Sequence, residues 1–148
     1  MKKILLINGP NLNNLGNRDK SLYGEITLKK IIKELEMKGL ESNLEIVSFQ
    51  SNHEGEIVDF IQKSYIDSSA IIINAGALSQ IGYSILDALI DTKLPYVEIH
   101  ISNIYSREEF RQKSMISGVV TGIICGLGTN GYILAINAMQ KLLEDGNR

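Results

Sequence analysis

The chain has 148 residues, of which 44% are hydrophobic and 22% charged, a balance that suits one folded domain spanning 1–148 and excludes a disordered or low-complexity segment. Fifteen Lys and Arg oppose seventeen Asp and Glu, for a net charge of -2, so no basic excess marks a nucleic-acid partner. The one cysteine, Cys125, excludes an intrachain disulfide and CxxC-type zinc sites, and no apolar run reaches the ~18 residues of a membrane span. The opening apolar stretch Ile4–Ile7 is too short for a signal peptide, so the expectation is a cytoplasmic protein with no membrane partner.

In chain order, Ile4-Leu5-Leu6-Ile7 reads as a strand buried on both faces. A polar loop from Asn8 to about Gly24 follows. Thr27 is placed to cap a helix that carries Leu28, Ile31, Ile32 and Leu35 on one face, and Gly39 to stop it. Leu44–Phe49 reads as the second strand. A helix from about Glu54 turns Ile57, Val58, Ile61 and Tyr65 inward, and Ser51 or Asn52 is expected to cap it, which gives His53 a plain place at a helix start. Ala70–Ile73 is a uniformly apolar third strand, expected at the centre. A helix over about Ile81–Asp91, a fourth strand over Tyr96–Ile101, a short charged helix near Ser106, a fifth strand over Gly118–Cys125 and a last helix through Tyr132, Ile136, Met139 and Leu143 complete the pattern.

Strands separated by helices run parallel with right-handed crossovers. Five such units predict a flavodoxin-like doubly wound parallel sheet of order 2-1-3-4-5 with helices on both faces. Ligands of such sheets bind beyond the carboxyl ends of the strands, near the point where the order reverses. The segments expected there are Asn8-Gly9-Pro10-Asn11, Asn74-Ala75-Gly76-Ala77, His100-Ile101-Ser102-Asn103 and Gly126-Leu127-Gly128. They are rich in glycine and in asparagine, which donates and accepts at once. Arg18 and Tyr23 in the long first loop and Arg107 and Arg111, at helical spacing, add charge and a phenol. Guanidinium matches carboxylate geometry. The constellation suits a small hydroxylated acid. Gly126-Leu127-Gly128-Thr129-Asn130-Gly131 fits G-x-G-x-x-G, but only seventeen residues follow it, too few for the next strand of a dinucleotide fold; tight helix packing is the preferred reading.

These segments resemble the type II 3-dehydroquinate dehydratases. The opening Asn8-Gly9-Pro10-Asn11-Leu12-Asn13 with Leu15-Gly16, Arg18 and Tyr23-Gly24 is similar to that family's signature. So are Ser51 to Glu56, Asn74 to Ala77, Glu98 to Asn103 and Arg107 to Arg111, in order and spacing over essentially the whole chain. The resemblance implies anti elimination of water from 3-dehydroquinate to give 3-dehydroshikimate through an enolate, a step of the shikimate route, without metal or organic cofactor. It implies a homododecamer of four trimers. By position, it implies Tyr23 as the base, Arg18 favouring its charged form, and Arg107 supporting the same field. It implies His100 as the acid with Glu98 holding its ring, and Asn11 at the water or enolate oxygen. Asn74, the Ile101 backbone, Ser102 and Arg111 are implied as substrate ligands, and Asp87 as reaching a neighbouring subunit's site. One position departs: the family usually has Thr-His-Thr where this chain has Ser79-Gln80-Ile81, so Gln80 is expected to take the histidine's hydrogen bond with a different reach. A non-catalytic small-acid-binding protein on the same scaffold stands as the alternative.

Overall fold

A computed structural model describes residues 1–146. Five parallel strands, β1 (Lys2–Asn8), β2 (Leu44–Gln50), β3 (Ala70–Asn74), β4 (Tyr96–His100) and β5 (Gly122–Cys125), form one sheet in the order β2-β1-β3-β4-β5. The expected topology is found. The helices are α1 (Lys20–Tyr23), α2 (Leu28–Glu41), α3 (Glu54–Ser64), α4 (Tyr83–Thr92) and α5 (Asn130–Glu144).

Alternation along the strands divides the core. Ile4 and Leu6 of β1 and Ile72 of β3 face α2 and α5, where Ile31, Leu35, Ile136 and Met139 meet them. Leu5 and Ile7, with Ile71 and Ile73, face α3 and α4, against Ile57, Ile61, Ile85 and Leu89. Both faces of the central strands are therefore dry, which is why their sequences are apolar without a break. β3 is buried at all five positions. Thr27 caps α2 as expected, its hydroxyl accepting from the Lys30 N–H at 3.3 Å. The N-cap of α3 is His53, with no side-chain cap bond, so neither Ser51 nor Asn52 takes that expected place; the Ser51 hydroxyl accepts from the His53 N–H at 2.9 Å and donates to the Glu56 carboxylate.

Four further expectations are corrected. Gly39 does not stop α2, which runs on to Glu41 and ends where Asn43 takes a left-handed φ of 55°. Gly39 is buried, and a Cβ there would lie 2.8 Å from Ile46 Cγ1 and 2.9 Å from the Leu44 carbonyl; the glycine serves close approach of helix to strand. The fifth strand starts at Gly122, not Gly118, because the chain turns with a Val119 N–H to Ile116 carbonyl bond and pairs with β4 only from Val97↔Gly122 onward. No charged α-helix follows β4. Two 3-10 turns, Ile104–Ser106 and Glu109–Arg111, replace it, the first capped by Asn103 accepting from the Tyr105 N–H at 3.1 Å. Tyr65 ends α3 half-buried instead of lying on its inner face.

Candidate active site

The carboxyl ends of β1, β3 and β4 open on a small cavity of about 130 Å³, walled on the other side by the loop that carries α1. Asn11, Arg18, Tyr23, Asn74, Gln80 and His100 line it, with Ile101, Ser102, Arg107 and Arg111. Ten of the residues singled out from sequence thus converge. Two do not reach the cavity: Glu98 lies behind His100, and Asp87 is exposed on the outer face of α4.

Tyr23 is the last residue of α1, a single helical turn. Asp19 caps that turn, accepting from the Ser21 N–H at 2.9 Å, and its carbonyl accepts from the Tyr23 N–H at 3.0 Å. Gly24 then leaves with φ 72°. The Tyr23 hydroxyl accepts from Arg107 Nη1 at 2.8 Å, and the same nitrogen donates to Ser102 Oγ at 3.1 Å. Arg18 lies over the Tyr23 ring, 3.7 Å from guanidinium carbon to centroid. Two cations therefore bear on one phenol, one at the oxygen and one at the ring face.

His100 and Glu98 stand two residues apart on β4 and so share a face of the strand. His100 Nε2 and Glu98 Oε1 are 3.0 Å apart. An ionised carboxylate only accepts, so Nε2 carries the proton of this bond and Nδ1 is the nitrogen left for a ligand. Glu98 also accepts from the hydroxyls of Ser114 and Ser117 and is fully buried. Burial pushes its carboxyl up, but the bonds from His100, Ser114 and Ser117 and the His100 charge outweigh that and hold it below the usual carboxylate range.

Asn11 adopts a left-handed φ of 69°, a conformation asparagine tolerates better than most residues. Its N–H donates to Asn52 Oδ1 at 2.9 Å, and Gln50 Nε2 ties Asn52 Oδ1 to the Gly9 carbonyl at 3.2 Å each. Gln80 Nε2 donates to the Arg111 carbonyl at 3.3 Å, and Arg111 Nε donates to Glu108 Oε2 at 2.7 Å. The Gly126–Gly131 loop braces this floor: Gly126 N–H donates to the His100 carbonyl at 3.1 Å and Gly128 N–H to the Ile101 carbonyl at 3.0 Å. Those amides are spent on protein, so the packing reading of the glycine motif holds. Gly131 sits against Ile124 and Ile99, where a Cβ would meet their methyls at 3.3 and 3.5 Å.

Sequence reasoning missed Ser114, Ser117, Asn52 and Glu108. The motif containing Asn52 was visible, but its contact with Asn11 spans 41 positions and carries no local signal.

Fold and cavity define a doubly wound α/β protein with a phenol and an imidazole facing one cavity at the carboxyl ends of its strands. The family model described as dehydroquinase class II matches residues 2–140, and the chain belongs to that family. It is 48% identical to a 3-dehydroquinate dehydratase of Caldicellulosiruptor bescii over 145 residues, covering 97% of this chain and 100% of that one. It is 51% identical to a 3-dehydroquinate dehydratase of Prochlorococcus marinus over 144 residues, covering 97% and 99%. The crystal structure of the type II dehydroquinase from Butyrivibrio crossotus superposes with a TM-score of 0.90 at 43% identity, covering 93% of this chain and 97% of that one.

Proposed function

We propose that this protein is a hydro-lyase that removes water from 3-dehydroquinate to give 3-dehydroshikimate, in the shikimate route. The observation that carries the reading is the Tyr23 hydroxyl held by Arg107 in the same cavity as His100, whose ring is held by Glu98. Family membership supports the same reading, and nothing favours the non-catalytic alternative.

A free phenol has a pKa of about 10 and is a weak base at neutral pH. Arg107 at the Tyr23 oxygen and Arg18 over its ring set two positive charges against this phenol. The Tyr23 phenolate takes the proton from C2. The electron pair of that C–H bond passes into the enolate, whose oxygen Asn11 and nearby amides stabilise through a bound water or directly. Protonated His100 then gives its Nδ1 proton to the C1 hydroxyl on the opposite face. The C–O bond breaks with its electrons, water leaves and the conjugated enone forms. Glu98 balances the imidazolium before transfer and fixes the ring after it. Arg111, Ser102, Asn74 and the Ile101 backbone hold the carboxylate and hydroxyls of the substrate, and Gln80 takes the hydrogen bond of the family histidine. No residue role here calls for a metal or organic cofactor. We place the whole chain in one catalytic domain, in the cytoplasm, with twelve copies assembled as four trimers, Asp87 reaching a neighbour's site. No helix among the described residues is long and apolar enough to cross a membrane.

The test is absorbance of the conjugated product on adding 3-dehydroquinate, with Tyr23→Phe run beside the parent. Turnover by the parent and its loss in the variant, with affinity within about tenfold, is the expected result. Near-normal turnover by Tyr23→Phe, or inactivation by borohydride with substrate, would overturn the mechanism. Gln80→His is expected to lower KM.

A further inference from the structure

Tyr132 lies on α5 with its side chain wholly buried between helix and sheet. A phenylalanine would fill the same space without a hydroxyl that must find partners. This hydroxyl has two: it donates to Asn8 Oδ1 at 2.6 Å and accepts from Asn74 Nδ2 at 2.9 Å. Asn8 and Asn74 are the last residues of β1 and β3, paired in register where the strand order reverses. Asn74 lines the cavity, while Asn8 and Tyr132 stand behind it.

The bonds run in one sense. Asn74 Oδ1 accepts from the Gly76 N–H at 3.2 Å, so Nδ2 is the atom that meets the phenol. A flipped amide would set donor against donor at Gly76 and take the phenol proton from Asn8. The series ends on Asn8 Nδ2, buried and without a partner among the described residues. An arrangement selected for stability alone would not stop at an unpaired buried donor. What the series does achieve is a single orientation for the Asn74 amide, with one Nδ2 hydrogen left for a ligand oxygen.

We infer that Tyr132 is a positioning residue for the dehydration, acting through the amide of Asn74. The inference rests on the dehydratase reading above. The experiment is a cycle of Tyr132→Phe, Asn74→Ala and the double variant, assayed with 3-dehydroquinate well below their melting temperatures. Tyr132→Phe is expected to raise KM about tenfold with kcat nearly unchanged, and to add nothing in the Asn74→Ala background. An unchanged KM, or the same rise in both backgrounds, overturns the inference. Should Tyr132→Phe fail to fold, Asn8→Ala, which removes the acceptor that orients the phenol together with the unpaired Nδ2, is expected to raise KM in the same manner and is read by the same rule. If the parent does not turn over 3-dehydroquinate, the dehydratase reading fails. The crystal structure of Tyr132→Phe, or of Asn8→Ala, then decides the positioning role: an Asn74 amide turned off Gly76 supports it, and an unmoved amide overturns it.

Discussion

Arg107 donates to the Tyr23 hydroxyl at 2.8 Å across 84 positions of sequence, and the same guanidinium nitrogen reaches Ser102. The phenol is thus fixed by a residue that follows β4, while its own loop supplies the second cation, Arg18, over the ring. Both charges contact the same phenol. Arg107→Met and Arg18→Met are each expected to lower kcat for 3-dehydroquinate by about 10²–10³-fold. Because both act on one group, the double variant should lose less than the product of the two. Steady-state assays of the four proteins check this, and full multiplicativity would show that the arginines act independently.

Glu98 is a buried carboxylate whose charge depends on its donors. Ser114→Ala and Ser117→Ala each withdraw one, leaving burial less opposed, so the folded-state value of the carboxyl rises. The native value lies below the unfolded one, about 4.3, so the contribution to stability is present above that pH and is lost as pH falls through the folded value. The variants should unfold in acid at a higher pH than the parent. Circular dichroism along a pH titration reads the midpoint, and an unchanged midpoint would contradict the role given to the two serines.

The hydroxyl of Tyr96 is buried without a partner among the described residues. Burial, with the Glu98 charge, pushes it up to about 12. Tyr96→Phe removes an unsatisfied group and should stabilise the fold by about 1 kcal/mol in urea denaturation. The sign with pH is also set. The folded value exceeds the unfolded value of about 10, so the parent's stability from the neutral phenol holds below pH 10 and falls between 10 and about 12. The variant should show a shallower alkaline decline, and destabilisation at neutral pH would rule this account out.

Two helical glycines should respond in opposite directions. Gly39→Ala drives a methyl to 2.8 Å from Ile46 Cγ1 and 2.9 Å from a backbone carbonyl, and overpacking of that kind costs about 1–3 kcal/mol, more than the ~1 kcal/mol gained in helix propensity. Gly55 has nothing within 4 Å of a Cβ, so Gly55→Ala should be stabilising by up to about 1 kcal/mol. Thermal melts of the two variants beside the parent decide it.

By itself, the sequence determined the order of the elements and the level of the site. Unbroken apolar runs marked strands covered on both faces, and helical periodicity between them required parallel crossovers, so the glycine and asparagine loops had to gather at one end of the sheet. Asn11, Tyr23, Asn74, His100 and Arg111 were legible on that ground. The tertiary structure alone decided which side chains touch. That Arg107 meets the Tyr23 oxygen, that Ser114 and Ser117 grip Glu98, and that Tyr132 joins Asn8 to Asn74 are contacts across 16 to 124 positions, set by how helix, loop and sheet pack. Local pattern also cannot tell a glycine that ends a helix from one, like Gly39, that lets a helix lie close on a strand, because the two differ only in what stands opposite the missing side chain.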